Sequence, residues 1–198
     1  ELEQLYVSLL EKKNVAATDR IKVLHVITRL IMGGAQENTL YTVTGLDKNK
    51  YWVMLASGPT YGPEGNIEDI VYKNRISFVK IPELVREIHP YKDLIAFFKL
   101  YILIRRYKFD IVHTHTSKAG ILGRCAAKIA GTQIIIHTPH GHLFYGYYGK
   151  FKTRCFIWLE RAIARITSCI ITLTELGRKE HISFGIAEPQ KFRVVQSG

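Results

Sequence analysis

The sequence predicts an α/β domain: a doubly wound, mostly parallel sheet with helices on both faces. Its strand-like segments read as continuous β-branched, apolar runs, as strands do when they are covered on both sides. Segments of helical periodicity separate those runs in regular alternation. The length of 198 residues, 47% of them hydrophobic, suffices for one sizeable core, falls short of two full domains and excludes general disorder.

Residues 1 to 20 carry Leu2, Leu5, Leu9 and Leu10 on a rough helical period, then the polar stretch Lys12-Lys13-Asn14, and read as an amphipathic lead-in to a domain over 21 to 198. Ile21 to Thr28 is the first buried strand, bounded by Gly33-Gly34, and a helix follows over Ala35 to Leu46. Tyr51 to Ala56 makes the next strand, and the Gly- and Pro-rich stretch Ser57 to Gly65 makes a surface loop. A short strand over Ile76 to Ile81 leads through Pro82 and Pro90 to a helix over Tyr91 to Tyr107. The second half alternates more evenly: strand Asp110 to Thr114, helix Lys118 to Ala130, strand Gln133 to Thr138, an aromatic loop His140 to Gly149, and helix Phe151 to Ile166. Strand Ser168 to Thr174, helix Glu175 to Ser183 and strand Phe192 to Val195 complete the series.

The formal charge of +11 favours anionic partners: nucleic acid, an acidic lipid surface or a phosphorylated metabolite. No apolar run approaches the roughly 20 residues that a bilayer crossing needs, so no membrane span is expected. The cysteines, Cys125, Cys155 and Cys169, are odd in number and lack CxxC spacing. With no secretory segment at the start, a reducing compartment is expected, hence a cytoplasmic protein or one peripheral on the inner face of the cell membrane.

Ligands of such sheets sit beyond the carboxyl ends of the strands, where strand order reverses, and the unusual residues of the chain collect in those loops. Gly33-Gly34 opens a helix after the first strand and lets a phosphate or sugar hydroxyl approach the backbone, although it is neither the GxGxxG fingerprint nor a P-loop; a plain tight turn is the other reading. His113 and His115 alternate at a strand end and share a face, with Lys118 beside them. They read as ligand-facing hydrogen-bonding groups or as structural histidines, and as metal ligands only if His137 or His140 folds in as a third; no metal is expected.

Thr138-Pro139-His140-Gly141-His142 is the sharpest local signal, because the preceding strand delivers His140 to the sheet edge and Gly141 leaves room beside it. An imidazole there accepts a hydroxyl proton or orients a sugar oxygen. Tyr145, Tyr147 and Tyr148 interleave with Lys150, Lys152 and Arg154, a pattern suited to a membrane interface or an acceptor groove. Residues 150 to 165 hold five basic residues against Glu160, a net +4. No dedicated nucleic-acid recognition motif accompanies them, and nucleic acid is not expected as a partner. Glu160 is read as pairing with Arg161 or a neighbouring loop, and Glu37 as capping the first helix.

Together, Ile21 to Thr28 with Met32-Gly33-Gly34-Ala35-Gln36-Glu37, Asp110-Ile111-Val112-His113-Thr114-His115 with Lys118-Ala119-Gly120, and His137-Thr138-Pro139-His140-Gly141 resemble the amino-terminal domain of retaining glycosyltransferases of the GT-B, family 4 type. The resemblance extends through Glu160 to Ala164, Ile170-Ile171-Thr172 and Val194 to Gly198, and so covers nearly all of 21 to 198. Ser168 departs from it, standing where an aspartate is common.

The resemblance implies a Rossmann-like, acceptor-side domain, half of a two-domain enzyme whose donor-binding carboxy-terminal domain lies outside this chain, so that the fragment alone is expected to be inactive. It implies transfer of a glycosyl unit from a nucleotide-sugar, a co-substrate rather than a cofactor, to a sugar or lipid-linked acceptor with retention of configuration, in cell-envelope or exopolysaccharide assembly. Carried onto this chain, Gly33 and Gly34 would approach the donor diphosphate, His140 would be the cleft histidine, and His113, His115, Lys118 and His142 would line the acceptor side. A non-catalytic module that binds a polyanion or a membrane surface, and a nucleotide-sugar epimerase, remain the alternatives.

Overall fold

The computed structural model describes residues 1–14, 20–61, 65–141 and 150–196. Helix α1 (Leu2–Lys12) precedes an alternating series: β1 (Ile21–Ile27), α2 (Gly34–Gly45), β2 (Tyr51–Ser57), α3 (Glu68–Lys73), β3 (Ser77–Lys80), α4 (Pro90–Tyr107) and β4 (Ile111–His115). The second half runs α5 (Ser117–Ala130), β5 (Ile134–Thr138), α6 (Lys150–Ala164), β6 (Cys169–Thr172), α7 (Glu175–Ser183), a 3-10 turn at Pro189–Lys191, and β7 (Phe192–Val194). The strands form one sheet in the order β3-β2-β1-β4-β5-β6-β7, and every pairing is parallel. The expected doubly wound α/β fold is the observed one, with strand order reversing between β1 and β4.

Local chemistry fixes several element ends. Pro90 opens α4, whose preceding residue, His89, accepts a hydrogen bond from the Lys92 amide. Gly131, at φ +87°, closes α5 in the left-handed conformation, and Thr174 caps α7 by accepting from the Gly177 amide. Glu37 lies in the first turn of α2 and is exposed; the cap position is Gly33, which offers no side chain.

Alternation along the strands divides the core into two layers. On one face Val23, Ile27, Ile111, Ile134, Ile136 and Ile171 pack with Leu40 and Val43 of α2 and Val71 of α3. On the other, Leu24, Val26, Val112 and Ile135 pack with Leu100 and Ile104 of α4 and Ala126 of α5. A smaller cluster joins Ala164, Ile170 and Phe192 under α6 and α7. The lead-in does more than the sequence predicted: α1 buries Tyr6 and Leu10 completely or nearly so against the first layer. Tyr6 meets His25 of β1, Tyr51 of β2 and His113 of β4 on the face that carries α2 and α3.

Helix α3 was not expected. Its six residues are too few to show a period, and Glu68 at its start is buried through partners distant in sequence, Thr60 Oγ1 at 3.1 Å and Lys80 Nζ at 2.7 Å. The pairing expected for Glu160 is corrected as well. Arg124 on α5, fully buried, donates from Nη2 to both Glu160 oxygens at 2.9 Å, whereas Arg161 donates to the Phe184 carbonyl.

Candidate functional site

The loops after β1, β4 and β5 meet at the strand-order reversal. Thr28, at the end of β1, bonds Thr116 through their hydroxyls at 3.0 Å, and its Oγ1 also accepts from the Ala119 amide in the first turn of α5. The Thr116 amide donates in turn to the Thr138 carbonyl, joining β4 to β5. Thr116 adopts φ 61° and ψ 167°, a sparsely populated conformation for a β-branched residue, and His140 sits at φ 57°. Strain of this kind is tolerated where the surroundings over-determine the backbone, as they do at this edge.

The glycines here fall into two kinds. At Gly58 a Cβ would lie 1.8 Å from the Leu84 carbonyl oxygen, and at Gly120 one would lie 2.5 Å from the His137 ring, so both are required by close packing. At Gly34 and Gly141 a Cβ would meet nothing within 4 Å. Gly33 is extended rather than left-handed, and its carbonyl accepts from the Gln36 and Glu37 amides as α2 begins. Packing among the described residues therefore does not require a glycine at Gly34 or Gly141.

Four histidines converge on the face that carries α1. Strand parity places His25 (β1), His113 and His115 (β4) side by side, with His25 and His113 in register across the β1–β4 pair. His25 Nδ1 lies 2.9 Å from His115 Nε2, and His115 Nδ1 lies 2.8 Å from His140 Nε2. His113 bonds Tyr6 Oη through Nδ1 at 2.7 Å and Thr138 Oγ1 through Nε2 at 2.8 Å. His140 Nδ1 is buried with no hydrogen-bond partner among the described residues.

Desolvation holds these rings neutral at ordinary pH. Burial lowers His25 to about 3 and His140 to about 4, and with help from neighbouring histidines it lowers His113 and His115 well below their usual value. Ring nitrogens of His25, His113 and His115 lie within 4.8 Å of one another, a spacing that could gather a cation. Both nitrogens of His113 and of His115, however, are already engaged in hydrogen bonds. The third histidine of this group is His25, not the His137 or His140 weighed from the sequence.

A cavity of about 420 Å³ lies over His113, His115 and Thr138, walled by Leu2 of α1, Tyr41 of α2 and Gln196 after β7. Lys118 does not reach toward it. Its ammonium pairs with Asp93 of α4 at 2.5 Å and also donates to the Glu87 carbonyl, so its charge is directed at α4 rather than offered to a ligand.

On the opposite face, His137 Nδ1 lies 3.0 Å from Thr114 Oγ1, and the Arg124–Glu160 pair ties α5 to α6. Burial and the Arg124 charge push His137 well below the usual histidine value. His142, Tyr145, Tyr147 and Tyr148 lie outside the described residues, and so do the side chains of Lys150 and Lys152. Arg154 is exposed on α6, with Trp158 exposed one turn on.

Residues 32–198 match the model of Glycosyltransferase Family 4. The chain belongs to that family. It is 33% identical over 179 residues to the UDP-Gal:alpha-D-GlcNAc-diphosphoundecaprenol alpha-1,3-galactosyltransferase of Escherichia coli, an alignment covering 90% of this chain and 45% of that enzyme. Among solved structures, a glycosyltransferase from Rickettsia africae aligns with a TM-score of 0.67 at 17% identity, over 89% of this chain and 43% of that one. The UDP-GlcNAc 2-epimerase of Neisseria meningitidis aligns at 0.61 and 15%, over 89% and 47%. At those identities the likeness shows the fold alone. It is the amino-terminal domain of the GT-B fold, and the chain spans about half the length of these relatives.

Tyr6 and His25 were missed as site residues. His25 carried a legible signal, a polar residue in phase with Val23 and Ile27 inside an apolar strand. Tyr6 lies between the leucines of an amphipathic stripe, and nothing local marks it as a partner for a histidine 107 positions away.

Proposed function

We propose that this chain is the acceptor-side domain of an enzyme that transfers a glycosyl unit from a nucleotide-sugar to a sugar or lipid-linked acceptor, with retention of configuration. The observation that carries the reading is a neutral His140 at the strand-order reversal of a family 4 domain, its Nδ1 without a partner among the described residues and its Nε2 2.8 Å from His115, which with His113 lines the neighbouring cavity. Neutral His140 accepts a hydrogen bond from a substrate hydroxyl and so orients it. Gly33 and Gly34 give the donor diphosphate access to amides at the start of α2, where developing negative charge is favoured. A second domain supplies the rest of the donor site.

The acceptor class is a lipid-linked saccharide of cell-envelope or capsule assembly. The undecaprenol-linked acceptor in the name of the E. coli relative supports this. So does α6, which exposes Arg154, Trp158 and Arg161, with Arg165 exposed just past its end, a set suited to the anionic inner face of a membrane. No helix among the described residues is long and apolar enough to cross a membrane.

The test is product formation by the whole protein across a panel of nucleotide-sugars with a lipid-linked acceptor, the anomeric configuration being read by NMR. A product with the donor's configuration supports the reading. Epimerised or hydrolysed donor without acceptor would favour an epimerase, and binding to anionic vesicles with no turnover would favour a non-catalytic module.

A further inference from the structure

The histidines of the site form a chain with one free end. Tyr6 Oη stands 2.7 Å from His113 Nδ1 and 3.5 Å from His25 Nε2. His25 then contacts His115 at 2.9 Å, His115 contacts His140 at 2.8 Å, and His140 Nδ1 ends the chain unpartnered. A neutral imidazole has one N–H and one lone pair, so each ring must pass on the direction of donation that it receives.

Only two directions satisfy every link and also give the Tyr6 proton an acceptor. In the first, Tyr6 donates to His113 and the Nε2–H of His113 donates to Thr138. The Tyr6 oxygen accepts from His25, His25 from His115, and His115 from His140, which leaves His140 Nδ1 as a bare lone pair. In the second every proton is reversed, and His140 Nδ1 carries an N–H. The first fits the distances better, since 2.7 Å is the usual length for an O–H donor and the short limit for N–H, while the 3.5 Å contact to His25 is long for either donor and departs least from the N–H range. It also leaves the free end as an acceptor, and an orphaned buried acceptor is tolerated better than an orphaned N–H.

We propose that Tyr6 is a positioning residue which, through His25 and His115, fixes His140 as its Nε2–H tautomer and keeps Nδ1 open to a substrate hydroxyl. The inference rests on the reading of His140 as the cleft group. It adds residues that the family match does not reach, because Tyr6 and His25 both precede residue 32. It also gives α1 a role beyond covering the sheet: the phenol it buries sets the direction of the proton chain.

The experiment is long-range 1H–15N correlation on the intact protein labelled at histidine, for wild type, Tyr6→Phe and His25→Phe. Wild-type His140 is expected as the Nε2–H form. With phenylalanine at position 6, keeping that direction would strand the His25 Nε2–H against carbon, so the chain reverses and His140 becomes the Nδ1–H form. His25→Phe strands His115 Nε2 in the same way and gives the same reversal while leaving the Tyr6–His113 bond. A wild-type Nδ1–H form, or a folded Tyr6→Phe protein that keeps the wild-type form, would overturn the proposal. If neither variant folds, the wild-type tautomer decides alone. The same variants are expected to lose at least about tenfold in kcat of transfer, given the size of proton-acceptor effects, with KM little changed. Reversal without loss of transfer would leave the chain standing and refute the assigned role of His140.

Discussion

Strands β4 and β5 bury polar side chains on both of their faces, and the two clusters differ in how they end. On one face Thr114 pairs with His137, and beside them Arg124 donates to the Gly120 carbonyl, to Thr167 and to both Glu160 oxygens; no side-chain atom of these five residues is among those left buried and unpartnered. On the other, Tyr6, His25, His113 and His115 are also satisfied, yet among the described residues the chain runs out at His140 Nδ1. A closed network braces; an open one offers an atom to a ligand. The difference sets the cluster read as bracing apart from the one proposed to meet a ligand, although each draws on consecutive residues of the same strands.

Acid breaks both clusters and gives the largest effect. As pH falls below 6.5 the unfolded chain binds protons at these histidines, while the native protein resists until about 4 at His140 and about 3 at His25. Stability is therefore full above about pH 6.5 and is lost as pH falls through that window. With about 1.4 kcal/mol per unit of displacement, the loss is several kcal/mol, read by urea titration at a series of pH values.

Glu160→Ala breaks the closed cluster alone. It leaves the Arg124 guanidinium buried and uncompensated, and denaturant titration should show a loss of about 3–5 kcal/mol. His140→Ala is expected to cost only about 1 kcal/mol, the price of one unpaired nitrogen on His115. Gly34→Ala sharpens the contrast at the smallest scale. With open space at its Cβ it should stabilise the fold by about 0.5 kcal/mol, while crowding the donor and raising its KM.

The parallel sheet was legible because apolar runs and helical periods alternate over most of the chain. Boundaries moved by a residue or two, and α3, at six residues, carried no periodic signal. The edge location of His140 and the shared face of His113 and His115 followed from strand geometry. What the sequence did not show was contact: Tyr6 reaches His113 across 107 positions, and Arg124 reaches Glu160 across 36. Lys118 makes the same point in reverse, since its charge was visible and its partner Asp93 was not.

The most direct test compares kcat for His140→Ala and Glu160→Gln in the whole protein, assayed for the proposed transfer with one nucleotide-sugar and one lipid-linked acceptor, each corrected for the folded fraction. The account predicts about a hundredfold loss for His140→Ala and a rate within about threefold of wild type for Glu160→Gln. Equal losses in the two variants, or full activity in His140→Ala, would contradict it.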